Sequence, residues 1–260
     1  MAKAKHYKAI AEYYDAEYAT NEMLQEDVPF FLGHLPKRRQ AVLELATGTA
    51  RAAIPIAQAG HRVVGVDFDG DVLAIGQRKQ DAVGIKEKDL RLVKADALGL
   101  VLGQTFDWVC IFFNTFLNFA SLEDQDRLLQ TVRRHMKPNG RFWLDIFNPD
   151  LHRLAQDHVE RLEPSSFFVP SLDRSVYREM EVEQDPVRQV QKIQFHYLWF
   201  DKHGQEHRER IAFELTWVFP RELQILLERN GLWIEHLYGN YDGSKLRADS
   251  PRIIAVCRQI

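Results

Sequence analysis

The feature that most constrains this chain is a short apolar run that stops at a glycine turn and opens into a run of small helix-forming residues. Residues 41–51 read Ala-Val-Leu-Glu-Leu-Ala-Thr-Gly-Thr-Ala-Arg. Val42, Leu43 and Leu45 suit a buried strand, and residues 52–59 suit a helix. A strand-to-helix turn aims free backbone N–H groups past the strand's carboxyl end, toward a ligand bearing a carboxylate or hydroxyls. A second apolar run closes in Val66-Asp67. From Gly48 to Asp67 is about the spacing at which an acid takes a ribose hydroxyl pair in a βαβ nucleoside site.

These residues resemble the first motif of the class I S-adenosylmethionine (SAM) dependent methyltransferases, a strand ending in an acid and then Gly-x-Gly-x-Gly. Here it stands as Glu44-Leu45-Ala46-Thr47-Gly48-Thr49-Ala50, with alanine at two of the three glycine positions. Gly48 keeps the point of closest backbone approach to a cofactor, and Ala46 and Ala50 are expected to be accommodated at negative φ. The resemblance implies SAM as cofactor, held by Glu44, Ala46, Thr47, Gly48, Asp67, Phe68, Asp96, Ala97 and Phe112. Asp96 follows a third strand over residues 90–94, where the family places an acid that accepts from the adenine amino group.

The helix after the second strand is expected over residues 71–83, with Asp69 or Gly70 as its cap. Residues 106–113 read as a fourth strand, apolar enough for the centre of a parallel sheet, and they lead into Asn114. In an open α/β sheet the active crevice lies beyond such strand ends, so Asn114 is expected to line it. The segment lacks the Asp/Asn-Pro-Pro-aromatic signature used by family members that methylate DNA adenine or protein glutamine. Ser121 caps a helix running to residue 136, Lys137-Pro138-Asn139-Gly140 stops it, and residues 141–147 form a fifth strand. Helix, Lys-Pro-x-Gly, strand is a further likeness to the family.

Past Pro149 the period changes to long alternating aromatic stretches at 167–169, 175–182, 187–200 and 205–218, an antiparallel β insertion. A helix over 220–230 and strands over 232–237 and 252–258 follow. The fold class expected is α/β, a seven-stranded mostly parallel doubly wound sheet with its last strand antiparallel. Three parts are expected: a helical cap over 1–40, the cofactor-binding domain over 41–150 and 220–260, and the insertion over 151–219. A helical cap bearing tyrosines and a three-stranded insertion after the fifth strand are most similar to the small-molecule N-methyltransferases of the glycine and amino-sugar kinds. In those proteins the insertion covers the substrate or forms a dimer contact, which makes a homodimer through it an expectation here.

Composition excludes several classes. The chain of 260 residues is 45% hydrophobic and 27% charged with a net charge of −3, which leaves no basic footprint for nucleic acid. No apolar run has the length of a membrane span, and the amino terminus lacks a signal core, so the cytoplasm is the expected compartment. Both cysteines, Cys110 and Cys257, sit in strand-like runs and read as core thiols. The histidines show no paired ligand spacing, and no metal site is expected.

Methyl transfer asks the protein for orientation and, for a hydroxyl acceptor, a base. Tyr14 and Asn114 are the expected catalytic residues, and Tyr18, His196, Tyr197 and Tyr241 the expected substrate contacts. Relatives often hold the SAM carboxylate with an arginine from the helix before the first strand. No Lys or Arg occurs between Lys8 and Lys37, and Arg51 with the N–H groups of the turn is expected to take that part. The function expected is methyl transfer to a small-molecule amine. The alternatives are O-methylation of a hydroxylated metabolite and a SAM- or nucleoside-binding module without catalysis.

Overall fold

The computed structural model describes residues 11, 13–20, 22–155 and 160–260, in two compact units. One unit comprises Glu26–Asn148 with Val218–Ile260, the other Met1–Gln25 with Pro149–Trp217. The amino-terminal segment expected to form one cap over 1–40 is thus divided at residue 25. Helix α1, Glu22–His34, runs across that point.

The first unit is a seven-stranded sheet. In chain order its elements are β1 Ala41–Leu45, α2 Ala53–Gln58, β2 Arg62–Asp67, α3 Gly70–Ala82, β3 Leu90–Lys94, β4 Phe106–Ile111, α4 Leu122–His135 and β5 Met136–Phe147. These precede the second unit's insertion. The sheet order places β1 between β2 and β4, with β3 beyond β2 and β5 beyond β4. The chain therefore starts in the middle and reverses direction after β3, and the crevice outside the carboxyl ends of β1 and β4 is the switch point where open α/β sheets bind ligands. All five residues of β1 are buried, as a central strand covered on both faces requires. The chain returns through α6 Pro220–Arg229, and β10 Leu232–Tyr238 and β11 Arg252–Gln259 close the sheet. β11 lies between β5 and β10 and is antiparallel to both, so the expected antiparallel last strand is present.

Local chemistry sets the boundaries. Asp69 caps α3, accepting from the N–H groups of Asp71 and Val72, and the Ser121 hydroxyl accepts from Asp124 N–H at the start of α4. Glu123 and Asp124 in the first turn of α4, and Arg133 and Arg134 in its last, complement its dipole. One boundary departs from expectation. Lys137-Pro138-Asn139-Gly140 does not separate helix from strand, because β5 begins at Met136 directly after α4. The extra residues are absorbed as a bulge: Phe106 pairs with Met136, while Trp108 pairs with Arg141.

The second unit holds a four-stranded antiparallel sheet, one strand for each of the four alternating stretches and one more than the three of the family likeness, in the order β6 Glu160–Val169, β7 Arg174–Asp185, β8 Val190–Phe200, β9 Glu206–Thr216. α5, Leu151–Leu154, precedes it. Residues 13–18 are helical, and Tyr13 enters the same core as Phe167, Val169, Val176, Tyr197 and Ile211. An ion pair between Glu17 and Arg178 joins that helix to β7.

Gly65, in mid-β2, leaves the room that Thr47 and Leu92 fill: a Cβ there would stand 2.9 Å from both Thr47 Oγ1 and Leu92 Cδ2. Gly65→Ala is expected to destabilise the protein by about 1–3 kcal/mol, the usual cost of overpacking. A urea denaturation midpoint equal to wild type would show that both neighbours move aside freely.

Candidate active site at the carboxyl ends of the parallel strands

The turn after β1 is tied to the end of β2. Thr47 N–H donates to Val66 O at 2.9 Å, and Gly48 N–H donates to Asp67 Oδ2 at 2.9 Å. Asp67 Oδ1 accepts from Asp69 N–H at 3.0 Å. Burial pushes the Asp67 carboxyl up, and the backbone N–H groups around it oppose that shift. Ala46, Gly48 and Ala50 have φ of 53°, 58° and 60°. This corrects the expectation of negative φ at the two alanines: the left-handed conformation that the three-glycine motif serves is present without two of its glycines. An L-residue there costs about 1–2 kcal/mol, so the surrounding hydrogen bonds and packing must hold the turn. Gly76 on α3 supplies part of that packing, since a Cβ on it would meet Ala50 Cβ at 3.2 Å.

Below the turn lies buried charge. Glu44, 4% exposed, accepts a hydrogen bond from the Thr47 hydroxyl at 2.7 Å. Burial, partly offset by that bond and by Arg51, raises its pKa to about 7. Arg51 grips Asp27 of α1 bidentately, Nη1 to Oδ1 at 3.0 Å and Nη2 to Oδ2 at 2.5 Å. Asp27 is 1% exposed, and without the guanidinium it would be an uncompensated buried charge. Arg51, expected to take the SAM carboxylate together with the N–H groups of the turn, thus also serves an internal acid. Asp27 escaped the sequence reading; its only signal was an acid beside the apolar run Val28-Pro29-Phe30-Phe31.

The other expected cofactor residues line the ends of β2 and β3. Phe68 follows Asp67 with its ring 46% exposed, and Asp96 is exposed beside buried Ala97. Asp96 Oδ1 accepts from Leu98 N–H at 2.9 Å, and a carboxylate retains further lone pairs. Space above Gly48 is open, with no atom within 4 Å of a Cβ built there. An open glycine turn, a strapped acid, an exposed ring and a second acid fit the carboxylate, ribose and adenine of SAM. Phe112 does not belong with them. It is 4% exposed and packs edge-on against Phe31 with ring centroids 5.2 Å apart, so it is a core residue.

At the end of β4 the chain makes two successive left-handed residues, Phe113 (φ 39°) and Asn114 (φ 56°). Asn114 N–H donates to Asp145 O at 3.0 Å, and its side-chain oxygen accepts from Phe147 N–H at 2.8 Å. Its amide is thus anchored to β5 by the oxygen, which turns the NH₂ group away from that bond as a donor. Tyr241, expected to be a substrate contact, is instead 5% exposed and donates to Asp145 Oδ2 at 2.6 Å. Burial and the neighbouring Asp145 carboxylate drive its phenol far up, which removes it as a base. The other oxygen of Asp145 is bound by Arg252 Nη2 at 2.6 Å and Nε at 2.9 Å.

The remaining expected residues lie in the second unit. Tyr14 and Tyr18 are half-buried with ring centroids 3.9 Å apart. Burial, followed by Tyr14 and Glu17, drives the Tyr18 phenol well up. Tyr197 is 2% exposed and 4.7 Å from Tyr13, a core ring whose phenol burial also pushes up; this corrects its reading as a substrate contact. His196 Nε2 lies 3.3 Å from a Glu181 carboxylate oxygen, a cross-strand pairing on the sheet.

Residues 42–140 match the family described as a methyltransferase domain. With the fold above, that match defines the class: the chain carries a class I, SAM-dependent methyltransferase domain, it is an enzyme of methyl transfer, and SAM is its cofactor. Over 230 residues it is 28% identical to the cypemycin N-terminal methyltransferase of a Streptomyces species, spanning 88% of this chain and 87% of that one. A SAM-dependent methyltransferase structure from Clostridium acetobutylicum superposes with a TM-score of 0.78 at 17% identity, covering 97% of this chain and 98% of the other. The sugar N-methyltransferase KedS8 from Streptoalloteichus superposes with a TM-score of 0.68 at 20% identity, covering 92% and 88%.

Two outcomes test the site. Asp67→Asn weakens both SAM binding and the strap on Gly48, and is expected to cost about 1.5–3 kcal/mol of SAM affinity by calorimetry; an unchanged Kd in a folded variant would remove Asp67 from the site. Glu44 holds a proton in the folded chain that the unfolded chain releases, so its contribution to stability is full below its ordinary 4.5 and is lost as pH rises toward about 7. Glu44→Gln is therefore expected to be more stable than wild type by roughly 1–3 kcal/mol at about pH 8, and close to it at about pH 5. Parallel stability curves for the two proteins over that range would contradict the assignment.

Proposed function

We propose that the methyl acceptor is an amine on a small molecule. Supporting this is the state of the groups around the β4 end: Tyr241 is a hydrogen-bond donor to Asp145 and not a free base, and Asn114 offers an amide, which takes no proton. A neutral amine brings its own lone pair and needs orientation, whereas a hydroxyl needs a base to remove its proton. The name of the cypemycin relative gives an amino-terminal methylation and that of KedS8 a sugar N-methylation, which supports the same reading.

Within this reading the turn N–H groups and Glu44 hold the amino-acid end of SAM, Asp67 takes the ribose hydroxyls, and Phe68, Asp96 and Ala97 take the adenine. SAM, when bound, supplies an electrophilic methyl group on sulfur. Asn114 directs its NH₂ group to the acceptor.

The test is incubation with methyl-labelled SAM and four probes: an amino acid, an amino sugar, a tripeptide with a free amino terminus, and a catechol. Labelled N-methyl product is expected, with kcat/KM rising with pH to an inflection that follows the amine's own pKa from one acceptor to the next. Labelling confined to the catechol would replace the reading with O-methylation.

A further inference from the structure

Arg252, Asp145 and Tyr241 form a buried network that joins three separate segments at the end of β4. Asp145 is 0% exposed and Arg252 2%. Arg252, the first residue of β11, forks onto Asp145 Oδ1, and Tyr241, from the loop before β11, donates to Oδ2. The Arg252 guanidinium lies 4.8 Å from the centre of the Phe113 ring and 5.9 Å from that of Tyr241. Asp145 reaches the same turn through its main chain, accepting from Asn114 N–H. The loop is closed on Arg252 as well, whose N–H donates to Gly239 O at 3.1 Å. Phe113 and Asn114 are the two consecutive left-handed residues, and neither is glycine. Such a pair persists only where its surroundings over-determine it.

We infer that Arg252, Asp145 and Tyr241 are positioning residues, a latch that holds the Phe113–Asn114 turn in its left-handed form and thereby aims the Asn114 amide at the methyl acceptor. This rests on the reading of the β4 end as the transfer site. The latch acts on the acceptor side; the SAM side is held by the separate strap between Asp67 and Gly48. A planar guanidinium is required, because it both forks onto a carboxylate and lies against a ring. Lysine, with a compact ammonium, does neither in the same way.

The experiment compares full-length wild type, Arg252→Lys and Tyr241→Phe by SAM calorimetry, by turnover of whichever amine probe wild type methylates best, and by amide hydrogen exchange of the SAM-bound proteins. Both variants are expected to keep the SAM Kd within about two-fold, to lose about 10-fold or more in kcat, and to exchange faster over residues 112–119 while residues 46–51 keep wild-type protection. Wild-type kcat with wild-type exchange would overturn the latch, and so would a loss of SAM affinity matching the loss of rate, which marks general disorder. Tyr241→Phe removes one hydroxyl from an otherwise intact core and keeps the test open if Arg252→Lys does not fold. Exchange over 112–119 needs no acceptor: if no amine probe is methylated, the proposed acceptor class falls, and faster exchange in the variants still supports the latch while unchanged exchange sinks it.

Discussion

The bond from Gly48 N–H to the Asp67 carboxylate is the constraint on which the cofactor side of the enzyme depends. It joins the carboxyl ends of neighbouring parallel strands and holds open a turn whose backbone is left-handed at three alternate residues. Its carboxylate partner is buried and accepts several backbone N–H groups, so it stays fixed at the end of β2. Once that turn is set, the start of α2, the exposed ring of Phe68 and the position of Asp96 follow from the sheet order.

Two buried ion pairs flank this frame, and each serves a turn. Arg51 and Asp27 fasten α1 to the helix start after β1, while Arg252 and Asp145 fasten β11 and the 239–251 loop beside the end of β4. A buried pair adds little net stability when compared with an apolar replacement, yet breaking one partner is costly. Such pairs therefore act mainly to specify geometry. In this protein they stand beside the non-glycine left-handed residues, Ala50 next to Arg51 in sequence and Phe113 under the Arg252 guanidinium. Glu44 differs: it has a hydroxyl partner and no bonded cation, and its raised pKa records that.

Much of this was legible in the order of residues, because hydrophobic period, turn chemistry and caps are local. The run at 41–45, the glycine turn, the acid at 67 and the acid at 96 identified a nucleoside-binding α/β sheet, and Asp69 and Ser121 marked their helices correctly. The boundary at Lys137–Gly140 was misread because a Pro-Asn-Gly run looks the same whether it ends a helix or bulges a strand. The four strands of the insertion were each legible as alternating stretches, and the count of three came with the family resemblance.

The sequence by itself determined the architecture and the class of chemistry, since each rests on neighbouring residues or on fixed spacings within one βαβ repeat. Only the tertiary structure decided which polar side chains are spoken for. Arg51 finds an acid 24 positions earlier, and Asp145 binds partners 96 and 107 positions later. No local pattern encodes such pairings, because they depend on where the sheet brings distant strands together. The left-handed alanines are of the same kind: propensity argues against φ above zero at Ala46 and Ala50, and the hydrogen bonds that hold their turn come from β2.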